Sequence, residues 1–196
     1  MEENFDALEV IARTRGKVDM DSNPTGDPIF ILWGSLTAFF YLLEFVLLRL
    51  GFGWAVWLWG GVPVVGLPVM VLILRRSHRR DHRRTRGSKL VLDYWIFAAC
   101  AIGIGGFIFG FFDIYELVEN PMICLLVGIG CFLTGEVLRF RPKTVGGLLG
   151  SAVGIGAFLL QGELWVWQPL AVAVVAIVSL LIPGLLFNRS LNNGIQ

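Results

Sequence analysis

Charged residues and cysteines are scarce in this sequence, and the common catalytic motifs are missing. Only 16% of its 196 residues are charged, whereas about a quarter is usual in a soluble domain. The three cysteines, at positions 100, 124 and 131, lack the CxxC spacing of zinc sites and redox pairs. No GxSxG, HExxH or Walker motif occurs. The sequence therefore predicts no enzyme, no cofactor and no metal site.

Long apolar runs are abundant instead. The chain is 56% hydrophobic, and about 20 apolar residues in a helix cross the ~30 Å hydrocarbon core of a bilayer. Runs of about this length lie at residues 28–48, 54–74, 90–112, 121–138, 144–160 and 164–187. The fifth run is short and rich in glycine, so it is the weakest of the six. The sequence predicts an all-α, polytopic integral membrane protein with six transmembrane helices in a domain spanning 28–187.

The distribution of basic residues predicts the orientation of these spans. All Lys and Arg residues except Arg49 fall on one side of the six-span arrangement, and the positive-inside rule makes that side cytoplasmic. Both termini, including the tail 188–196, are then cytoplasmic. The opposite loops carry acidic residues, namely Asp113, Glu116, Glu119 and Glu163. We expect a multi-pass protein of the plasma or inner membrane.

Two segments outside the spans carry their own patterns. Residues 1–27 hold an amphipathic helix at 4–16 and a turn-rich linker, typical of an interfacial anchor or of a segment that docks a cytoplasmic protein. The loop 75–89 is strongly basic and is expected to contact anionic lipid; binding of a phosphoprotein is the alternative. It has no aromatic residue for base stacking, so sequence-specific nucleic-acid binding is not expected. Its basic residues are Arg75, Arg76, Arg79, Arg80, Arg83, Arg84, Arg86 and Lys89.

Glycines recur in similar text three times, as GIGGFIFG, GIGCFLTG and GIGAFLLQG. Each copy lies inside an apolar run rather than between a strand and a helix, so a dinucleotide-binding loop is not indicated. Small residues four apart let helices approach closely in lipid. The pattern therefore predicts close helix packing or a homo-oligomer face, with inverted repeats or simple composition as alternative origins. The glycines concerned are Gly103, Gly106, Gly110, Gly128, Gly135, Gly146, Gly150 and Gly154.

Three carboxylates lie within the predicted spans: Glu44, Asp93 and Glu136. An ionisable side chain in a bilayer is costly and should face protein, water or an interface. Asp93 and Glu136 lie near the cytoplasmic ends of their predicted spans. Interfacial salt bridges explain them most simply, and a proton or cation site is the alternative. Glu44 is surrounded by apolar residues in FFYLLEFVLL, which makes it the best single candidate for such a site.

The second run contains residues that interrupt a helix. A proline removes a helical hydrogen bond, and broken helices occur at transporter binding sites as well as at simple packing kinks. The residues are Gly60, Gly61, Pro63, Gly66 and Pro68.

Two functions are compatible with these features. The first is a non-enzymatic membrane protein that oligomerises or binds a partner through its glycine faces, its N-terminal helix and its basic loop. The second is a small proton- or cation-coupled transporter that uses the intramembrane carboxylates and the broken second helix.

Overall fold

The computed structural model describes residues 26–77, 86–111 and 115–193; these residues are helical apart from short connections, with no strand among them. The α-helices are α1 (Gly26–Arg49), α2 (Gly61–Ser77), α3 (Arg86–Phe111), α4 (Tyr115–Val137), α5 (Arg141–Ala157), α6 (Gln168–Val175) and α7 (Ile182–Asn193). The all-helical prediction is confirmed. The predicted amphipathic helix 4–16 and most of the basic loop lie outside the described residues.

Three non-α segments connect these helices. The 3-10 segments Gly53–Gly60 and Gly162–Trp167 precede α2 and α6, respectively. A π-helical turn, Ala176–Leu181, joins α6 to α7 and makes them one continuous element. A π turn is wider than an α turn, so this element is not a regular helix along its whole length.

Five segments of the described part of the chain are long and apolar enough to cross a membrane, judged by length and composition. They are Pro28–Arg49, Gly53–Ile73, Lys89–Ile108, Val118–Val137 and Gly162–Arg189. Helix α5 has 17 residues, slightly fewer than the roughly 20 that a perpendicular span needs. The described chain thus has the helices of a membrane protein, and the sixth span remains a prediction.

Two helices begin at places that the sequence pattern did not indicate. The second span was predicted to be helical from residue 54, but its first part is a 3-10 segment and α2 starts only at Gly61. Helix α4 begins at Tyr115, ahead of the predicted start at Pro121. The uncharged apolar run begins only after Glu119, so the sequence placed the start at Pro121 and left Glu119 in a loop. The structure places Glu119 inside α4.

The apolar core lies where α1, α2, α4 and α6 meet. Tyr41, Val62, Ile123 and Val172 are buried together, with the ring of Trp59 packed against them. Helix α1 is central, since it contacts α2, α6, the π turn and α7. We call Tyr41, Ile123 and Val172 the core layer, because they contribute one residue each from α1, α4 and α6.

Helices α4 and α5 form the closest helix pair, and we call their contact the glycine seam. It is lined by Gly128, Gly135, Gly147 and Gly154. A Cβ atom on Gly147 would lie 2.7 Å from the carbonyl oxygen of Gly128, and one on Gly154 would lie 2.9 Å from the backbone nitrogen of Leu125. Distances this short require glycine, because any side chain would collide with the backbone of the other helix.

Other glycines fit rings or neighbouring helices. On the far side of α5, Gly146 faces the carbonyl oxygen of Val178, 2.7 Å from its ideal Cβ position, and Gly150 faces Ser179. In α2, Gly61 and Gly66 make room for aromatic rings of α1. Gly103 in α3 has no atom within 4 Å of its ideal Cβ position, so equal sequence spacing did not produce equal packing.

Three hydroxyl groups near the glycine seam, two of them buried and one half-buried, donate to backbone carbonyl oxygens. Ser179 Oγ donates to Gly146 O at 2.6 Å, and Ser151 Oγ donates to Gly147 O at 3.0 Å. Thr134 Oγ1 donates to Gly130 O at 2.6 Å and accepts from the indole N–H of Trp95 at 3.1 Å. These bonds satisfy the buried hydroxyls, as is usual in native proteins.

Candidate functional site

Three helices each bury a polar side chain one turn beyond their core-layer residue, toward the Arg49 end of α1. Glu44 of α1 follows its core residue by three positions. Glu119 of α4 and Gln168 of α6 each precede theirs by four. Since three or four residues make one helical turn, each lies on the same inward face as the core residue below it. We call Glu44, Glu119 and Gln168 the polar layer.

The polar layer is withdrawn from the molecular surface. Glu44 is 4% exposed, Glu119 is 5% exposed and Gln168 is completely buried. Acidic side chains are almost never fully buried unless they are paired, so two of them in one layer call for an explanation.

The two carboxyl groups lie close enough to interact electrostatically. The carboxyl group of Glu44 interacts electrostatically with that of Glu119, and the hydroxyl group of Tyr41 interacts with both. Two like charges in a medium of low dielectric constant repel each other strongly. The pair is therefore stable only if protons or another cation compensate the negative charge.

Each member of the polar layer also has an oxygen without a hydrogen-bond donor among the described residues. These atoms are Glu44 Oε2, Glu119 Oε1 and Gln168 Oε1. An unsatisfied buried acceptor costs about 1–3 kcal/mol, and a few such groups mark strain or function in a native structure. Three at one level are consistent with a site that binds a positively charged group.

The basic residue closest in sequence to Glu44 is engaged elsewhere. The guanidinium group of Arg49 lies over the ring of Trp167, 5.3 Å from the ring centroid. Trp167 also packs against Phe45, with ring centroids 5.3 Å apart. The second contact holds the start of α6 level with Glu44, because Phe45 and Trp167 are the chain neighbours of Glu44 and Gln168.

The carboxyl group of Glu119 and the ring of Trp59 meet in the space beside Gly106. A Cβ atom on Gly106 would lie 2.8 Å from Glu119 Oε1 and 3.3 Å from the Trp59 ring. Helix α3 thus borders the polar layer with a residue that has no side chain. Trp59 comes from the 3-10 segment Gly53–Gly60, so this segment covers one side of Glu119.

The structure does not bring together the three carboxylates that the sequence grouped as an ion or proton site. Asp93 and Glu136 are exposed, unlike Glu44. Trp95, two residues after Asp93, contacts Phe30 near the start of α1, with ring centroids 5.4 Å apart. At 1.5 Å per residue, Phe30 is about 20 Å along α1 from Glu44. Asp93 is therefore far from the polar layer.

Sequence reasoning missed Glu119 and Gln168. Glu119 was assigned to a loop because acidic residues and Pro121 surround it. Gln168 stands between Trp167 and Pro169, in a stretch typical of a helix start at a membrane interface. The one available signal was the spacing of four residues between Glu119 and Ile123 and between Gln168 and Val172, which places each polar residue on an apolar face.

Among the residues predicted to contact anionic lipid, Arg75, Arg76 and Lys89 are exposed. The remaining basic side chains of that loop lie outside the description. Lys143, which the sequence placed in a short cytoplasmic loop, is 2% exposed instead. Its ammonium group lies over the ring of Phe30, 3.1 Å from the centroid, which is a cation–π contact.

The chemistry available at the polar layer is the binding of a proton or a cation. The oxygens without a hydrogen-bond donor are acceptors, and among the described residues they belong to two carboxyl groups and one amide. No group of three His, Cys, Asp or Glu side chains comes together in the described part of the chain. Two carboxyl groups and an amide oxygen form a smaller set, which suits hard cations or protons rather than metals that require histidine or thiolate.

Comparison with protein-family models, curated proteins and solved structures gives no match.

Proposed function

We propose that this protein is a small multi-pass membrane transporter in which Glu44 and Glu119 take up and release a proton or a cation. The single observation that carries the proposal is the buried, mutually repelling carboxyl pair, each member of which has an oxygen without a hydrogen-bond partner among the described residues. Intramembrane carboxylates that face the protein interior are typical of proton relays and ion pathways. A purely structural pair would be expected to have hydrogen-bond donors on both oxygens.

The proposed arrangement in the membrane has six spans, with both termini in the cytoplasm of a cell whose plasma or inner membrane holds the protein. The positive-inside distribution of Lys and Arg supports this orientation. The polar layer then lies in the outer half of the membrane, one turn from the core layer. The exposed Arg75, Arg76 and Lys89 lie on the cytoplasmic side and contact anionic head groups.

The second span supports a transport role because it is irregular beside the carboxyl pair. Its 3-10 segment carries Trp59, and glycine follows at positions 60 and 61. Pro68 lies inside α2, where it removes a backbone hydrogen bond. A 3-10 stretch has poorer hydrogen-bond geometry than an α-helix and often marks a hinge. Movement of this segment would uncover Glu119.

Flux across lipid vesicles tests the proposal. The purified protein is reconstituted, a pH or cation gradient is imposed, and luminal pH and cation content are followed with fluorescent indicators. We expect Glu44→Gln and Glu119→Gln each to slow the flux at least about tenfold, which corresponds to about 1.4 kcal/mol in the barrier. The matched control is Glu136→Gln, since Glu136 is an exposed carboxylate of the same helix α4. Flux that survives both buried substitutions would remove the basis of the proposal.

A second candidate function is assembly in the membrane through α3. The open space beside Gly103 and the exposed Cys100 one turn earlier favour it, because small residues let a second helix approach closely. A flux unaffected by either buried substitution, together with a defined oligomer in lipid, would favour this function over transport.

A further inference from the structure

Gln168 is the member of the polar layer that proton binding alone does not explain. A carboxyl group can hold a proton and then donate it in a hydrogen bond, so Glu44 and Glu119 can satisfy themselves by protonation. An amide oxygen has no such option, because it accepts hydrogen bonds and metal ions but does not titrate. Gln168 is nevertheless completely buried with an unpartnered oxygen.

The orientation of the Gln168 amide is held by the fold. Its Nε2 donates to the carbonyl oxygen of Leu160 at 2.6 Å. Leu160 lies in the turn after α5, where its own backbone N–H donates to Ala157 O at 3.1 Å. The donor end of the amide is therefore committed to the turn. The acceptor end has no hydrogen-bond partner among the described residues.

The oxygens at this level form a hard donor set. Carboxylate and amide oxygens are the ligands that Na⁺ and Ca²⁺ chemistry favours, whereas softer metals favour thiolate and imidazole. A cation held by Glu44 and Glu119 would also relieve the repulsion between their charges. The close approach of Glu119 Oε1 and the Trp59 ring to Gly106 favours a small ion over a bulky organic cation.

We propose that Glu44, Glu119 and Gln168 together bind a small hard metal cation, an ion of Na⁺ or Ca²⁺ chemistry, with Gln168 as the uncharged ligand. This inference rests on the transport function proposed above and names its substrate class. The carboxyl groups supply the compensating charge. The amide supplies an oxygen whose position the turn at Leu160 fixes.

Direct binding of metal ions to the full chain in lipid nanodiscs tests the inference. Radioactive Na⁺ and Ca²⁺ are titrated separately, with unlabelled K⁺ and Mg²⁺ as competitors, at constant pH. We expect saturable binding of Na⁺ or Ca²⁺, weakened about tenfold or more by Gln168→Leu, in the range seen when a metal site loses a supporting group. The control is Gln161→Leu, because Gln161 is an exposed glutamine in the connection between α5 and α6. The cation affinity of this variant should equal that of the wild type.

A second pair of variants tests the site without removing a ligand. Gly106→Ala places a methyl group against Glu119 Oε1, whereas Gly103→Ala, one turn earlier in α3, meets no atom within 4 Å. We expect Gly106→Ala to weaken cation binding several-fold and Gly103→Ala to leave it unchanged. This pair also covers the case in which Gln168→Leu fails to fold.

The outcomes separate the inference from the proposed function. Absence of Na⁺ and Ca²⁺ binding, or binding that Gln168→Leu and Gly106→Ala leave unchanged, overturns the metal site. If proton flux still depends on Glu44 and Glu119 in that case, the transport function stands with protons alone. If neither flux nor binding depends on the two carboxylates, both proposals fall.

Discussion

The glycine seam and the polar layer both contain buried polar atoms, but they differ in whether those atoms form hydrogen bonds. Beside the seam, the hydroxyl groups of Thr134, Ser151 and Ser179 each donate to a backbone carbonyl oxygen. In the polar layer, Glu44, Glu119 and Gln168 each keep an oxygen without a donor among the described residues.

The proposed function predicts that this difference separates a stabilising region, the glycine seam, from a functional one, the polar layer. A satisfied polar group in lipid adds to helix association, whereas an unsatisfied one subtracts from stability and persists where function requires it. Substitutions in the glycine seam should therefore lower the free energy of unfolding. Substitutions in the polar layer should lower activity instead.

The largest expected effect is on the glycine seam itself. Gly147→Ala would drive a methyl group into the backbone of Phe132 and of Gly128, and backbone atoms cannot move aside cheaply. We expect a loss of more than about 3 kcal/mol in the free energy of unfolding, at the upper end of overpacking effects. Unfolding in mixed detergent micelles, followed by circular dichroism, measures it.

The matched control is Gly156→Ala in the same helix, where no atom lies within 4 Å of the ideal Cβ position. It should be neutral or slightly stabilising, because alanine favours a helix over glycine by up to about 1 kcal/mol. Equal stability of the two variants would contradict the close backbone contact between α4 and α5.

A smaller loss is expected from Thr134→Val. The substitution keeps the shape of the side chain but leaves the Trp95 indole N–H without its acceptor. It also removes the hydroxyl bond to Gly130 O, which keeps its backbone bond within α4. We expect the free energy of unfolding to fall by about 1–2 kcal/mol in the same assay. Ser35→Ala serves as the comparison, since that exposed hydroxyl bonds only its own helix, and a change there of similar size would argue against a special role for Thr134.

The smallest effect on stability is expected from Glu119→Met. Methionine has a similar volume and no charge, so the free energy of unfolding should stay within about 1 kcal/mol of the wild type or rise, as often happens when a buried charge is replaced by an apolar residue. Vesicle flux should fall sharply at the same time. A loss of stability as large as that of Thr134→Val would place Glu119 with the structural residues and erase the distinction between the two regions.

The all-helical character of the described chain and the length of its apolar helices followed from its apolar runs, because a bilayer imposes both length and composition on a spanning helix. The spacing of Gly146, Gly150 and Gly154 indicated close packing, and the structure places each against another helix. Gly103 opens its copy of the repeated text as Gly128 opens the next one, and yet Gly103 faces open space whereas Gly128 contacts α5. Periodicity identifies a face of a helix but not the neighbour that covers it.

The polar layer was only partly predictable. Glu44 was recognisable because apolar residues surround it on both sides along the chain. Glu119 and Gln168 lie near helix starts, where acidic and amide residues are expected at an interface, and local sequence does not distinguish a cap from an inward-facing ligand. Their convergence depends on how α1, α4 and α6 pack, which is a tertiary property.

The π turn at Ala176–Leu181 sets the angular phase of the last helical element. Gln168, Ser179 and Phe187 are all buried. In a regular α-helix, however, the nineteen residue steps from Gln168 to Phe187 would place Phe187 about 100° around the helix axis from Gln168. One additional residue in a wide turn cancels that rotation. Deleting a single residue there would restore eighteen α-helical steps, which is five full turns, and leave the two ends in phase. Inserting a further residue would instead turn the Gln168 end by about 100° relative to the Phe187 end, and the proposed site predicts that this insertion abolishes cation binding.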